Sequence, residues 1–137
     1  MKYKLVKALV LVLATLLMTC NAPKELDIWK VYYFGGQSNM DGYGFNDQLP
    51  DSLKKRIPSS MIFNGKRDNE GSPKGGIGIW SYVEPGHGNM FQTDGVSNSL
   101  SKMFGPELSF ADKMLESGEK IAIIKYSFGG TALHPGA

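Results

Sequence analysis

"FGPELSFADKMLESGEKIAIIKYSFGGT", residues 104–131, decides the fold. Pro106 suits the first turn of a helix, where a missing N–H costs nothing, and Glu107 suits the positive end of the helix dipole. Leu108, Ala111, Met114 and Leu115 follow at spacings that share one helical face. Gly118 suits the left-handed position that stops a helix. The spacing therefore predicts a helix over about 106–117. "IAIIKY", 121–126, is an apolar, β-branched run with the length of a buried strand, and it leads into Gly129-Gly130.

The same order occurs upstream. "IWKVYYF", 28–34, is aromatic and β-branched and runs into Gly35-Gly36. Its nearly unbroken apolarity suits a strand buried on both faces. Met61–Asn64 is a further candidate strand. Strand, helix and strand with Gly-Gly at both strand ends favour an α/β fold with a parallel sheet. Ligands bind such sheets outside the carboxyl ends of the strands, so both glycine pairs belong at the working edge. From Lys66 to Lys102 no period of 3.6 or 2 is sustained, which reads as a long functional or flexible loop. "GGIGIW", 75–80, lacks the G-x-G-x-x-G spacing and reads as a turn.

The 137 residues fit one domain, and 42% hydrophobic with 20% charged residues excludes a disordered chain. Seventeen glycines and seven prolines predict turns and loops rather than a helical bundle. The net charge of +2 is carried by the N-terminus. Removing Lys2, Lys4 and Lys7 from fifteen basic residues leaves twelve against thirteen acidic ones. No basic face remains for nucleic acid, and "KKR" at 54–56 reads as a solvated loop or helix end.

"MKYKLVK" is a basic leader segment, and "ALVLVLATLLM", residues 8–18, is an apolar stretch of eleven. A membrane span needs about 20 residues, so residues 1–19 have the proportions of an export signal. The single cysteine, Cys20, follows directly and resembles the lipidated first residue of a bacterial lipoprotein. Thr19 departs from the Gly, Ala or Ser usual there. Residues 20–27 then read as a tether and residues 28–137 as the folded part. The expected location is the periplasm or cell surface, with membrane contact only through the lipid.

"FGGQSNMDG", 34–42, poses the chemical question. A serine hydroxyl needs a base and oxyanion donors to act as a nucleophile. Gly36 would allow a sharp turn at the strand end, and the Ser38 N–H at a helix start would point at an oxyanion. The chemistry alone also describes a Gly-Gly turn with a capping serine, and that bland reading outweighs the other. Met40 breaks the G-x-S-x-G pattern of the α/β-hydrolases.

The three blocks together resemble the SGNH hydrolase superfamily, in its sialate O-acetylesterase and acetyl xylan esterase branch. "FGGQSNMDG" is similar to the block that carries the serine, "FGPELSFA" to the helix after the long loop, and "IAIIKYSFGGTAL" to the second block. Trp80 and "EPG", 84–86, match further positions. The resemblance covers roughly residues 28–133. It implies a three-layer α/β/α fold and hydrolysis of acetyl esters on a carbohydrate through an acyl-serine, with no cofactor. Carried over by position, Ser38 is the nucleophile and its N–H an oxyanion donor. Gly129 or Gly130 supplies another donor, and Gln37 and Asn39 are positional. Glu107 matches a motif residue and reads as structural.

The W-H-Q-G-E-like and D-x-x-H blocks of the family do not occur in these 137 residues. The expectation is an N-terminal portion of a longer enzyme, inactive by itself, whose DNA beyond codon 137 would encode both blocks. The resident histidines are weaker candidates for the base. His87 stands in an E-x-x-H spacing with Glu84, in a Pro-Gly turn. His134 follows the second block, either near substrate or exposed. Two histidines and one cysteine do not make a metal site. The rival reading is a non-catalytic surface lipoprotein that binds glycans on a related scaffold. Neither the particular sugar nor the oligomeric state is legible.

Overall fold

The computed structural model describes residue 3, residues 27–68 and residues 72–130. In chain order the elements are β1 (Trp29–Gly36), α1 (Ser38–Asp41), β2 (Gly44–Phe45), β3 (Ser60–Asn64), β4 (Trp80–Tyr82), β5 (Gln92–Thr93), β6 (Asn98–Ser99), β7 (Met103–Phe104), α2 (Glu107–Leu115) and β8 (Lys120–Ser127). Two single-turn 3₁₀ helices, Asn46–Gln48 and Asp51–Leu53, lie between β2 and β3. Apart from residue 3, the expected signal, Cys20 and the expected tether to residue 26 lie outside the described residues, as does His134. Among the described residues no helix is long and apolar enough to cross a membrane.

The main sheet has the order β1-β8-β3-β4. β1 and β3 flank β8 and both run parallel to it, from Trp29↔Lys120 to Gly36↔Ser127 on one side and Ser60↔Ile121 to Asn64↔Lys125 on the other. The expected parallel arrangement thus holds for three strands. β4 corrects it: Met61↔Tyr82 to Phe63↔Trp80 is antiparallel, so the sheet is mixed. The cause is local. Beyond β3 the chain folds back on itself, with Lys66 N–H donating to Ile77 O at 2.7 Å and Gly76 N–H to Lys66 O at 2.8 Å. A hairpin-like return of this kind brings the next strand back antiparallel, whereas a parallel neighbour needs a crossover. The turn expected at Gly75-Gly76 is this return.

The stretch 66–102 is not wholly irregular, contrary to expectation. It holds β4, and an antiparallel ribbon of β5 and β6 with Gln92↔Ser99 and Thr93↔Asn98 opposed. Strands of two or three residues are too short to establish a period in sequence.

α2 forms where its apolar stripe predicts, and its final turn closes with Gly118 at φ 71°. Leu108 and Ala111 are fully buried against Ile62, Ile121 and Ile123, and Met114 and Leu115 pack on the rim. Phe110 meets Tyr32 and Phe34 edge-on, at centroid distances of 4.9 and 5.1 Å. Each fully buried Leu or Ile contributes about 1.5–3 kcal/mol. This contact covers one face of the sheet. Alternate residues of β1 point the other way, and there Val31 and Tyr33 are 60% and 70% exposed. Among the described residues β1 is therefore an edge strand covered on one face by α2, not a strand buried on both faces as expected.

Candidate active site

Because β1 and β8 are parallel and in register, both Gly-Gly turns leave the same edge of the sheet. Phe128 N–H donates to Gly36 O at 3.1 Å, which extends the pairing past Ser127. Gly36 has φ 156°, and a Cβ there would stand 3.0 Å from Met40 Cβ, so glycine is needed for α1 to fold back over the strand end. α1 is a single turn. Met40 and Asp41 N–H groups donate to Gln37 O at 2.9 Å, and Gly42 N–H donates to Ser38 O at 3.0 Å. Ser38 is its first residue and is half-buried, while Gln37 and Asn39 are exposed. Among the described residues the Ser38 hydroxyl has no hydrogen-bond partner. Gly129 lies beside the Tyr43 hydroxyl, 3.1 Å from where its Cβ would be, and Gly130 has φ 81°.

Asp41, at the far end of α1, fastens this turn to the rest of the fold. Its carboxylate is fully buried. It pairs with the Arg67 guanidinium and accepts from Asn89 Nδ2 at 2.8 Å and Ser127 Oγ at 3.3 Å. Next to it, Gly42 approaches Gly105 so closely that a Cβ would lie 2.1 Å from Gly105 Cα, and its φ of 89° favours glycine as well. The turn that carries Ser38 is thereby pinned to β8, to the segment after β3 and to the start of α2.

Beneath it lies Lys125, a fully buried lysine in the middle of β8. Its Nζ donates to Glu107 Oε2 at 2.6 Å, His87 O at 2.8 Å and Asp41 O at 3.1 Å. Glu107 Oε1 accepts from Gly105 N–H at 2.8 Å. Burial pushes the Lys125 ammonium below its ordinary value, against the pull of the Glu107 carboxylate. Glu107 is therefore structural, as its place at the helix start implied.

His87 is fully buried and packs against Phe91 at 5.0 Å. Its Nε2–H donates to Tyr82 O at 3.2 Å, a tautomer assigned from the partner, and Nδ1 is left buried without one among the described residues. Burial holds the imidazole below its ordinary value, with the Glu107 carboxylate acting in the opposite sense. Glu84 does not orient it. That carboxylate binds Arg56 Nε at 3.2 Å on the surface, and Arg56 lies 5.1 Å from the Tyr82 ring centroid. The E-x-x-H pair of the sequence is thus not a pair in space.

Sequence reasoning missed Asp41, Arg67, Asn89 and Lys125. One signal was available: a lysine in the buried run "IAIIKYS" must find a counter-charge inside the protein. Among the described residues no group of three or more His, Cys, Asp or Glu could hold a metal.

Against known families, a model described as "Carbohydrate esterase, sialic acid-specific acetylesterase" matches residues 29–135. No curated protein and no solved structure matches the chain.

Proposed function

The chain belongs to the sialic acid-specific acetylesterase family of carbohydrate esterases, and from that premise we propose that Ser38 is the nucleophile of an O-acetylesterase acting on acetylated sugars. The observation that carries this is the shared sheet edge: the Gly36 and Ser127 ends are paired, so the Ser38 turn and Gly129-Gly130 stand side by side. Ser38 Oγ attacks the acetyl carbonyl, losing its proton to a base as the C–O bond forms. The oxyanion is met by the Ser38 N–H and by a backbone N–H from Gly129 or Gly130. Collapse expels the sugar alcohol, which takes a proton, and leaves acetyl-Ser38. Water then repeats the attack, releasing acetate and restoring the serine.

We further take the mixed sheet as part of a three-layer α/β/α domain. Support comes from the bare face that carries Val31 and Tyr33. Residues 1–20 are proposed to be a lipoprotein export signal, on the strength of the basic leader, the eleven-residue apolar stretch and Cys20.

The test is acetate release from O-acetylated sialosides by the protein expressed from its own locus, beside its Ser38→Ala form. Release that disappears with Ser38 is expected. Release that survives the substitution, or none at all, refutes the assignment. The isolated 137-residue chain is expected to hydrolyse p-nitrophenyl acetate no faster than its Ser38→Ala form. The one observation that favours non-catalytic glycan binding is that no histidine among the described residues is exposed. In that case sugar binding persists while the locus product releases no acetate.

A further inference from the structure

Tyr43 stands at the working edge with a hydroxyl proton that the fold does not use. It joins the serine turn to β2, and its backbone is held on both sides. Gly42 O accepts from Asn89 N–H at 2.8 Å, and Gly44 pairs with Phe104 across the β2–β7 ribbon. The side chain is half-exposed. Its hydroxyl lies 3.1 Å from the point where a Cβ of Gly129 would be, so any side chain there would press on it. Gly129 follows Phe128, whose N–H donates to Gly36 O, just ahead of Ser38, at 3.1 Å. The phenol thus reaches from the serine turn across to the glycines that follow β8.

The buried charge of Asp41 sets which way that hydroxyl faces. Asn89 Nδ2 donates one proton to Asp41 Oδ2 at 2.8 Å and the other to Tyr43 Oη at 3.2 Å. A side-chain amide has two such protons, and both are used. The amide is not free to turn over, because its oxygen would then meet the Asp41 carboxylate, acceptor against acceptor. Tyr43 Oη is therefore the acceptor on its Asn89 side, and its own proton is left for another partner. Among the described residues that proton has no acceptor. A hydroxyl that accepts from one group becomes a better donor to the next. Arg67, Asp41, Asn89 and Tyr43 form a chain that runs from a buried ion pair to an open donor beside Gly129.

An open donor at this place fits an acceptor that gains negative charge. We propose that the Tyr43 hydroxyl donates to the acyl oxygen of the ester, alongside the backbone N–H groups of Ser38 and of Gly129 or Gly130. This rests on the assignment of Ser38 as the nucleophile. The hydrogen bond strengthens as that oxygen becomes an oxyanion, so its weight falls on turnover rather than on binding. A contact to a sugar hydroxyl would act in the opposite way, raising KM alone and only for sugar substrates.

The test compares the parent, Ser38→Ala and Tyr43→Phe, each expressed from the protein's own locus. The substrates are an O-acetylated sialoside and p-nitrophenyl acetate, which has the acyl oxygen but no sugar. Tyr43→Phe is expected to lower kcat, taken per mole of folded protein, by about 100-fold on both, with KM within about twofold of the parent. An unchanged kcat, a change confined to KM, or a loss seen with the sialoside alone overturns the proposal. Turnover that does not need Ser38, or none at all, removes the esterase assignment and this proposal together. Ser38-dependent turnover with a parent-like Tyr43→Phe removes this proposal alone.

Discussion

Lys125→Met separates the buried ion pair and should be the most damaging single substitution at the clasp. The parent Nζ serves three acceptors at 2.6–3.1 Å with no access to water. Without it, Glu107 is a buried carboxylate whose one remaining donor among the described residues is Gly105 N–H. Breaking a buried pair in this way costs about 3–5 kcal/mol. Asp41 O loses its donor as well, and an unsatisfied buried carbonyl costs about 1–3 kcal/mol. His87 O fares better because Asn64 Nδ2 still donates to it at 3.0 Å. The second substitution, Glu107→Gln, removes the stranded charge and retains an acceptor for Gly105 N–H. The double variant should then carry mainly the Asp41 O defect and recover about 2 kcal/mol. The assay is urea unfolding followed by the fluorescence of Trp29 and Trp80, comparing midpoints at equal m-values. A loss below about 1 kcal/mol for Lys125→Met, or a double variant no more stable than the single one, would refute the assignment of Lys125 as the counter-ion.

His87 predicts an acid-sensitive fold. Its ordinary value is 6.5 and burial lowers it in the folded state, so the unfolded chain binds the proton first. Stability is then full above pH 6.5 and falls as pH drops from there toward the folded value, at up to about 1.4 kcal/mol per pH unit. His87→Gln should flatten that slope in urea midpoints taken at pH 7.5, 6.5 and 5.5; an unchanged slope excludes His87 as its source. On the proposal that residues 1–20 are a lipoprotein export signal, Cys20→Ala should release the protein from membranes into the soluble fraction, and membrane association that persists would remove the proposed lipid anchor.

The helix 107–115 and the strand 120–127 were legible because each satisfies a short-range rule. One is a 3.6-residue stripe with Gly118 behind it; the other is a β-branched run between polar ends. The edge position of β1 was not legible. Its apolar run reads the same whether one face or both are covered, and only the position of α2 decides which. β4 escaped because three residues carry no period. Ser38 and the glycine turns were singled out through the three ordered blocks, and the structure sets both turns at one sheet edge. The groups that hold them were not singled out, since Asp41 meets Lys125 and Ser127 across 84 and 86 positions. No local pattern encodes such a meeting. The E-x-x-H spacing misled for the same reason: side chains three apart in an extended turn need not face each other, and Glu84 found Arg56 instead.

The order β1-β8-β3 has a consequence for synthesis. The strand that lies between the other two is the last of the three to leave the ribosome. At about 5–20 residues per second, the interval between Asp41 and Lys125 is roughly 4–17 s. Throughout it, β1 lacks its one neighbour among the described strands of the main sheet, and the serine turn lacks the lysine and hydroxyl that hold its aspartate. Pairings this distant in sequence also form slowly once both partners exist. Any nascent chain arrested before Lys120 would contain Ser38 and Asp41 without the strand that gives their turn its shape.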